Sequence, residues 1–174
     1  IGHGGMGVVY KGRQVLMERT VAIKMLQSQH IADSQSVQRF LREGKASCRM
    51  NHPHVITVYD FGQSNDGLLY LVMERLSGRP LADILDSDGA LPVARATHLI
   101  GQICDSLSEA HKNGITHRDL KPENIFIEEK GGQTDFVKVL DFGVAKFLDP
   151  DGQIPLTQTG TVFGTPRYMS PEQA

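Results

Sequence analysis

The densest gathering of chemically capable side chains is His117-Arg118-Asp119-Leu120-Lys121-Pro122-Glu123-Asn124, just past a predicted helix end. Asp119 can accept a hydroxyl proton. Asn124 can ligate a hard cation through its carbonyl oxygen. An ordinary polar loop after a helix seldom collects an acid, cations and a carboxamide over so short a span. Asp141-Phe142-Gly143 follows a short apolar stretch. It offers a second metal-binding carboxylate and a glycine that permits a sharp turn.

The chain opens with Gly2-x-Gly4-x-x-Gly7-x-Val9. Alone, this pattern is weak. In a dinucleotide-binding fold it follows a strand and opens a helix. Here it leads into Val8-Val9-Tyr10, which reads as strand. A P-loop needs Lys and Ser/Thr after its last glycine, and Val8 and Val9 stand there instead. A third reading is a flap between two strands whose Cβ-free backbone approaches phosphates. A glycine-rich turn without a ligand is the fourth. Downstream, Val21-Ala22-Ile23-Lys24 puts a lysine on a strand, within reach of nucleotide phosphates. Glu43, on a predicted helix, supplies a carboxylate to hold it. Separately, each is an ordinary solvated residue or a surface ion pair.

The elements that must position these groups follow from pattern. Val8–Tyr10 and Thr20–Leu26 read as a hairpin, with Gly12–Arg19 as a polar connection. A helix capped at Asp33 or Ser34 runs to about Met50, weakened at Gly44. Val55–Tyr59 and Leu68–Met73 read as strands around a turn at Ser64–Gly67. A short helix fits Leu81–Leu85. A longer one runs from Pro92 to Asn113, with Val93, Ala96, Ile100, Ile103, Leu107 and Ala110 toward one side and Gly114 past its end. Ile125–Glu128 and Val137–Leu140 read as short strands, and the remainder as loop. The expected class is α+β, with strands first, helices second and a hinge near Glu74–Gly78.

Composition narrows the function. Lys and Arg total 18 against 20 acids in 174 residues, and 40% are hydrophobic. That balance gives no electrostatic argument for nucleic acid or an anionic membrane. The longest apolar stretch, Leu68–Met73, is too short to span a bilayer. Cys48 and Cys104 form no CxxC pair and are expected to be buried and inert. His52 and His54 flank a proline without evident further ligands. The chain opens at Ile1 inside a strand pattern, so residues before it are expected to be missing.

Taken in order, these motifs resemble the protein kinase signature set from the glycine-rich loop to Ser170-Pro171-Glu172. Gly4-Gly5-Met6-Gly7-Val8-Val9-Tyr10 and Gly164-Thr165-Pro166-Arg167-Tyr168-Met169-Ser170-Pro171-Glu172 are similar to the eukaryotic-like kinases of bacteria. The resemblance implies a bilobal kinase fold, with 1–73 as N-lobe, 74–78 as hinge and 79–174 as an incomplete C-lobe. It implies ATP and two Mg2+ ions as cofactors. Gly2, Gly4, Gly5 and Gly7 would cover the phosphates, and Lys24 would pair with Glu43. Val9 and Ala22 would roof the adenine, Met73 would be the gatekeeper, and Glu74 and Leu76 would bind the adenine edge through backbone groups. Phe126 would floor the pocket, larger than the usual Leu or Met. Asp119 would orient the substrate hydroxyl, Lys121 would neutralise γ-phosphoryl charge, and Asn124 with Asp141 would hold metal. Lys121 and Thr165 imply serine/threonine substrates.

The resemblance further implies a signalling enzyme acting on protein substrates, with no nucleic acid, no membrane contact in this segment and room for dimerisation. The domain would be cytoplasmic, within a protein that can be membrane-anchored. Thr157 and Thr159 are the expected autophosphorylation sites, with Arg118, Lys146 and Arg39 as basic partners. Two rivals are weighed. A non-catalytic pseudokinase would lack one of Lys24, Glu43, Asp119, Asn124 or Asp141, and all are present. A metabolite or aminoglycoside kinase would lack the Lys121-Pro122-Glu123 spacing. A kinase domain would continue past Glu172, so Ile103 and Leu107 are expected to expose apolar surface, and the 174 residues alone to be insoluble or weakly active.

Overall fold

The computed structural model describes residues 2–4, 7–26, 37, 44–45, 47–142 and 166–169. The chain divides into two units: Ile1–Asn51 with Ile56–Leu76, and His52–Val55 with Ser77–Ala174.

The first unit carries a five-stranded antiparallel sheet in the order β1-β2-β3-β5-β4. The strands are β1 (Gly2–Gly4), β2 (Gly7–Gln14), β3 (Arg19–Leu26), β4 (Val58–Gln63) and β5 (Leu69–Glu74). Alternation is clean in β5, where Leu69, Leu71 and Met73 are buried. That is the period of a strand with one face in a core. The β4–β5 connection is the predicted Ser64–Gly67 turn. Ser64 Oγ accepts the Leu68 N–H, and Gly67 takes a φ of 83°.

The predicted polar connection between β2 and β3 is not what forms. Pairing continues to Gln14↔Arg19, and the turn is Val15–Glu18. Arg19 Nε donates to Gln14 Oε1 at 2.6 Å, and its guanidinium lies 3.4 Å above the Tyr59 ring. These contacts extend the ladder past the point where turn propensity would end it. The tip that results is apolar, with Leu16 95% exposed.

Most of the predicted helix ending near Met50 lies outside the described residues. Gly44, which weakens that helix in propensity, has a packing reason: a Cβ there would lie 2.6 Å from the Phe61 ring.

The second unit carries a three-stranded antiparallel sheet, β6 (Arg79–Pro80), β7 (Ile125–Lys130) and β8 (Gln133–Val139), in the order β6-β7-β8. Its helices are α1 (Leu81–Asp88) and α2 (Val93–Lys112). Pro92 caps α2 with a φ of −55°, suited to helix entry. Gly114, with a φ of 70°, ends it, and His111 and Lys112 complement the helix dipole.

The seam of α2 keeps the predicted Ile103 and Ala110 but takes Leu99 and Ser106 in place of Ile100 and Leu107. Leu99, Ile103, Ser106 and Ala110 are buried, while Val93 and Ile100 are 83% and 57% exposed. Ile103 is therefore core, contrary to expectation, and Leu107 is half-buried. Small residues at 106 and 110 complete the seam, and the Ser106 hydroxyl is satisfied by Ile103 O at 2.7 Å. A hydrophobicity pattern picks out Ala110 but gives no weight to the serine.

Both cysteines are exposed, which corrects the expected burial. Cys104 follows Ile103 on α2 and so points off the seam; Cys48 lies in the turn after the helical residues.

Two polar side chains fasten α2 to the β7–β8 hairpin. Arg95 grips Asp135 with two bonds of 2.7 and 2.9 Å. Gln102 donates to Asp135 O and accepts the buried Val137 N–H.

Candidate active site

In the first unit, sheet register decides which predicted residues share a face. Val9 lies opposite Lys24, Lys24 opposite Leu71, and Ala22 opposite Met73. Directly opposed residues project to one side, and so do residues two apart on a strand. Val9, Ala22, Lys24, Leu71 and Met73 therefore form one patch. Lys24 is 7% exposed. Glu43, its predicted partner, lies outside the described residues.

The glycine-rich segment is a hairpin, with Gly2↔Val9 and Gly4↔Gly7 paired and Gly5 outside the described residues. Gly7 has a φ of 147°, and a Cβ there would collide with the Met25 carbonyl oxygen. No other residue fits, because backbone meets backbone. The dinucleotide-fold alternative fails here, since the segment opens a strand rather than a helix.

At the end of β5, Glu74 is tied to Thr57 twice. Its N–H donates to Thr57 O at 2.9 Å, and its carboxylate accepts the Thr57 N–H at 2.7 Å. The Glu74 N–H is thus already used. Leu76 is the last residue of this unit.

The second unit brings together the segment richest in chemistry. Pro122–Asn124 form a 3-10 turn directly before β7, closed by the Asn124 N–H on Lys121 O. That turn delivers the Asn124 amide to Asp119: Nδ2 donates to Asp119 O at 2.8 Å and to Asp119 Oδ2 at 3.2 Å. Lys121 Nζ lies 2.9 Å from the same Oδ2. The Asp119 and Lys121 side chains retain 11% and 17% exposure, so the pair is largely but not wholly buried.

His117 was not singled out from sequence, yet it holds the segment in place. Its Nε2 lies 2.7 Å from Leu140 O, and its Nδ1 lies 3.3 Å from the Asp119 N–H. A carbonyl only accepts and an amide N–H only donates. The ring is therefore neutral, with its proton on Nε2. Burial pushes its pKa below the ordinary histidine value, against the opposing pull of the Leu140 carbonyl and of Asp141 and Asp119. The Phe142 ring packs at 4.8 Å. The only sequence signal for this role is its place two residues before Asp119; its partner is 23 residues away.

Asp141 follows immediately. The Leu140 N–H donates to Asn124 O at 2.9 Å, which sets the residue before Asp141 against the Asn124 backbone. Arg118 and Asp141 have φ values of 66° and 59°. Left-handed backbone at non-glycine residues is uncommon and collects at functional sites. Asp119, Lys121, Asn124 and Asp141 are thus brought to one region. Phe126, on β7, pairs with Pro80 and Lys138. Thr157, Thr159 and Thr165 lie outside the described residues.

The donor set suits a magnesium ion. Asn124 commits its Nδ2 to Asp119, which leaves Oδ1 as an oxygen donor, and Asp141 adds a carboxylate. Among the described residues, no group of three or more His, Cys, Asp or Glu side chains could hold a metal ion. Two oxygen donors without a full protein cage fit magnesium, which takes much of its shell from water and phosphate.

Comparison with known proteins agrees with this geometry. The protein kinase domain family model matches residues 1–174. Serine/threonine-protein kinase pkn3 of Myxococcus xanthus is 48% identical over 175 residues, covering 100% of this chain and 32% of the relative. Serine/threonine-protein kinase PknB of Mycobacterium leprae is 40% identical over 177 residues, covering 100% of this chain and 28% of the relative. Among solved structures, the Mycobacterium tuberculosis PknI kinase domain superposes with a TM-score of 0.72 at 29% identity. The match covers 83% of this chain and 57% of that one. The chain belongs to the protein kinase domain family. Its fold is the α+β, bilobal protein-kinase fold, with a strand-rich first lobe and the first part of a helical second lobe, and its bacterial relatives are serine/threonine-protein kinases. It spans about a third or less of the length of these curated relatives.

Proposed function

We propose that this chain is the ATP-binding and catalytic part of a protein kinase that transfers the γ-phosphoryl group of Mg-ATP to serine or threonine hydroxyls of proteins. The observation that carries the reading is the Asp119–Lys121–Asn124 cluster, with the carboxylate fixed by the amide and paired to the lysine at 2.9 Å.

In the transfer, the substrate hydroxyl oxygen bonds to the γ-phosphorus while the bond to the β–γ bridging oxygen breaks and ADP leaves. Asp119 orients the hydroxyl and accepts its proton. Lys121, paired with that carboxylate at 2.9 Å, would neutralise γ-phosphoryl charge. Asn124 and Asp141 would hold magnesium, two ions in our reading, which neutralise charge on the phosphates. Lys24 would take the α- and β-phosphates and Glu43 would hold Lys24. Gly2, Gly4, Gly5 and Gly7 would lie over the phosphates.

The patch of Val9, Ala22 and Met73 would receive the adenine, Glu74 and Leu76 its edge, and Phe126 the opposite side. Residues 1–73, 74–78 and 79–174 would serve as N-lobe, hinge and incomplete C-lobe. Thr165 would support the serine/threonine preference, and Thr157 and Thr159 would be autophosphorylated, with or without dimerisation. Among the described residues no helix is long and apolar enough to cross a membrane. We place this domain in the cytoplasm, in a signalling protein that can be anchored elsewhere in its length.

The test is γ-phosphate transfer from labelled ATP to a protein acceptor by the protein in full, followed by phosphoamino-acid analysis. Label on serine and threonine supports the reading. Label on tyrosine, or none, rejects it.

A further inference from the structure

Residues His52–Val55 belong to the second unit, although the chain on both sides of them belongs to the first. They form a strap along β8. The Val139 N–H donates to His54 O at 2.9 Å, and Val55 bridges Val139 in parallel. His54 Nδ1 lies 3.0 Å from Val137 O, a carbonyl, so the ring donates. Lys138 Nζ donates to Val55 O at 3.1 Å. Within the strap, the Val55 N–H meets His52 O and the His54 N–H meets His52 Nδ1.

Lys138 is the telling residue. It is 2% exposed, on a strand whose Val137 and Val139 are wholly buried. An apolar chain of the same length would fill that place without removing an ammonium from water. The lysine supplies a donor that reaches the strap carbonyl.

β8 is thus gripped on both edges. On the other edge, Ile125 pairs with Val139, Asn124 O accepts the Leu140 N–H, and His117 donates to Leu140 O. The next residue is Asp141, in left-handed backbone.

We propose that the strap is a positioning device for Asp141, with Lys138 and His54 as its positioning residues. Asp141 needs a fixed backbone because its conformation is intrinsically unfavourable and its carboxylate must meet a metal within tight limits. The importance of Asp141 rests on the kinase reading above; the strap itself does not.

The experiment uses the protein in full, as wild type, Lys138→Met, Lys138→Arg and His54→Phe. His54→Phe keeps a ring against Phe136, whose centroid lies 4.7 Å away, and removes the donor. Amide exchange is followed without nucleotide, and turnover is measured against magnesium at saturating ATP. Lys138→Met and His54→Phe are expected to speed exchange at 137–142 by about 10-fold while residues 7–26 stay unchanged. They are expected to raise the half-saturating magnesium concentration by about 10-fold, with little change in KM for ATP. Lys138→Arg should restore most of both. His54→Phe decides the matter if Lys138→Met does not fold. Unchanged exchange at 137–142 in a folded variant, or acceleration spread evenly over the protein, would overturn the proposal. A wild type without phosphoryl transfer would instead sink the kinase reading, and the exchange data would still decide the strap.

Discussion

At the scale of single residues, the site depends on which atoms are already committed. Asn124 spends its Nδ2 on Asp119, so its oxygen is the atom that the proposed function gives to metal. His117 spends Nε2–H on Leu140 and accepts at Nδ1 from Asp119. Protonating it would place an N–H against an N–H. Its pKa is depressed below 6.5 in the folded protein, chiefly by burial. The unfolded chain therefore binds more protons in the window below 6.5. The stability that His117 provides is complete above pH 6.5 and falls as pH drops toward its folded pKa. Urea melts across about pH 5 to 7 should show this loss, and His117→Phe should flatten it. Lys121→Ala should lower kcat by roughly 100-fold with a smaller change in KM for ATP, because its contribution comes at the transferring group; steady-state kinetics checks the split. The grouping of Asp119, Lys121 and Asn124 was legible in the sequence because their spacing is local. The role of His117 was not, because its partner is a backbone carbonyl far along the chain.

At the scale of elements, patterns with a strong period were readable and those made by tertiary contact were not. α2 was expected from Pro92 to Asn113 and spans Val93–Lys112. Ile103 and Ala110 of its expected stripe are buried, while Leu99 and Ser106 take the places expected for Ile100 and Leu107. β6 is two residues long and exists through pairing with β7, so no local signal marks it. Gly78 shows that dependence: a Cβ there would collide with the Ile127 carbonyl oxygen. The exposed Val15–Met17 tip is apolar and runs against turn chemistry, where the sequence pattern predicts a polar connection over Gly12–Arg19. Two predictions belong at this scale. Gln102→Ala strands the buried Val137 N–H and should cost about 2 kcal/mol in chemical denaturation. Arg95→Ala loses a half-exposed bidentate pair with Asp135 and should cost only about 1 kcal/mol in the same assay.

At the scale of the whole molecule, the predicted machinery is split between the units. The first holds the patch around Lys24, and the second holds Asp119, Lys121, Asn124 and Asp141. Register and burial carry the first half, and hydrogen bonds carry the second. In the proposed function neither half does chemistry alone: one would supply a cation for phosphates, the other a base and metal donors. The central claim is that Asp119 acts on the substrate hydroxyl. It is tested most directly by comparing wild type with Asp119→Asn in the protein in full, in γ-phosphate transfer to a protein acceptor. The exchange keeps the side chain's size and removes its capacity to take a proton. The expected result is a loss of at least about 100-fold in kcat with near-normal melting temperature and ATP binding. An Asp119→Asn protein that transfers phosphate at the wild-type rate would contradict the account.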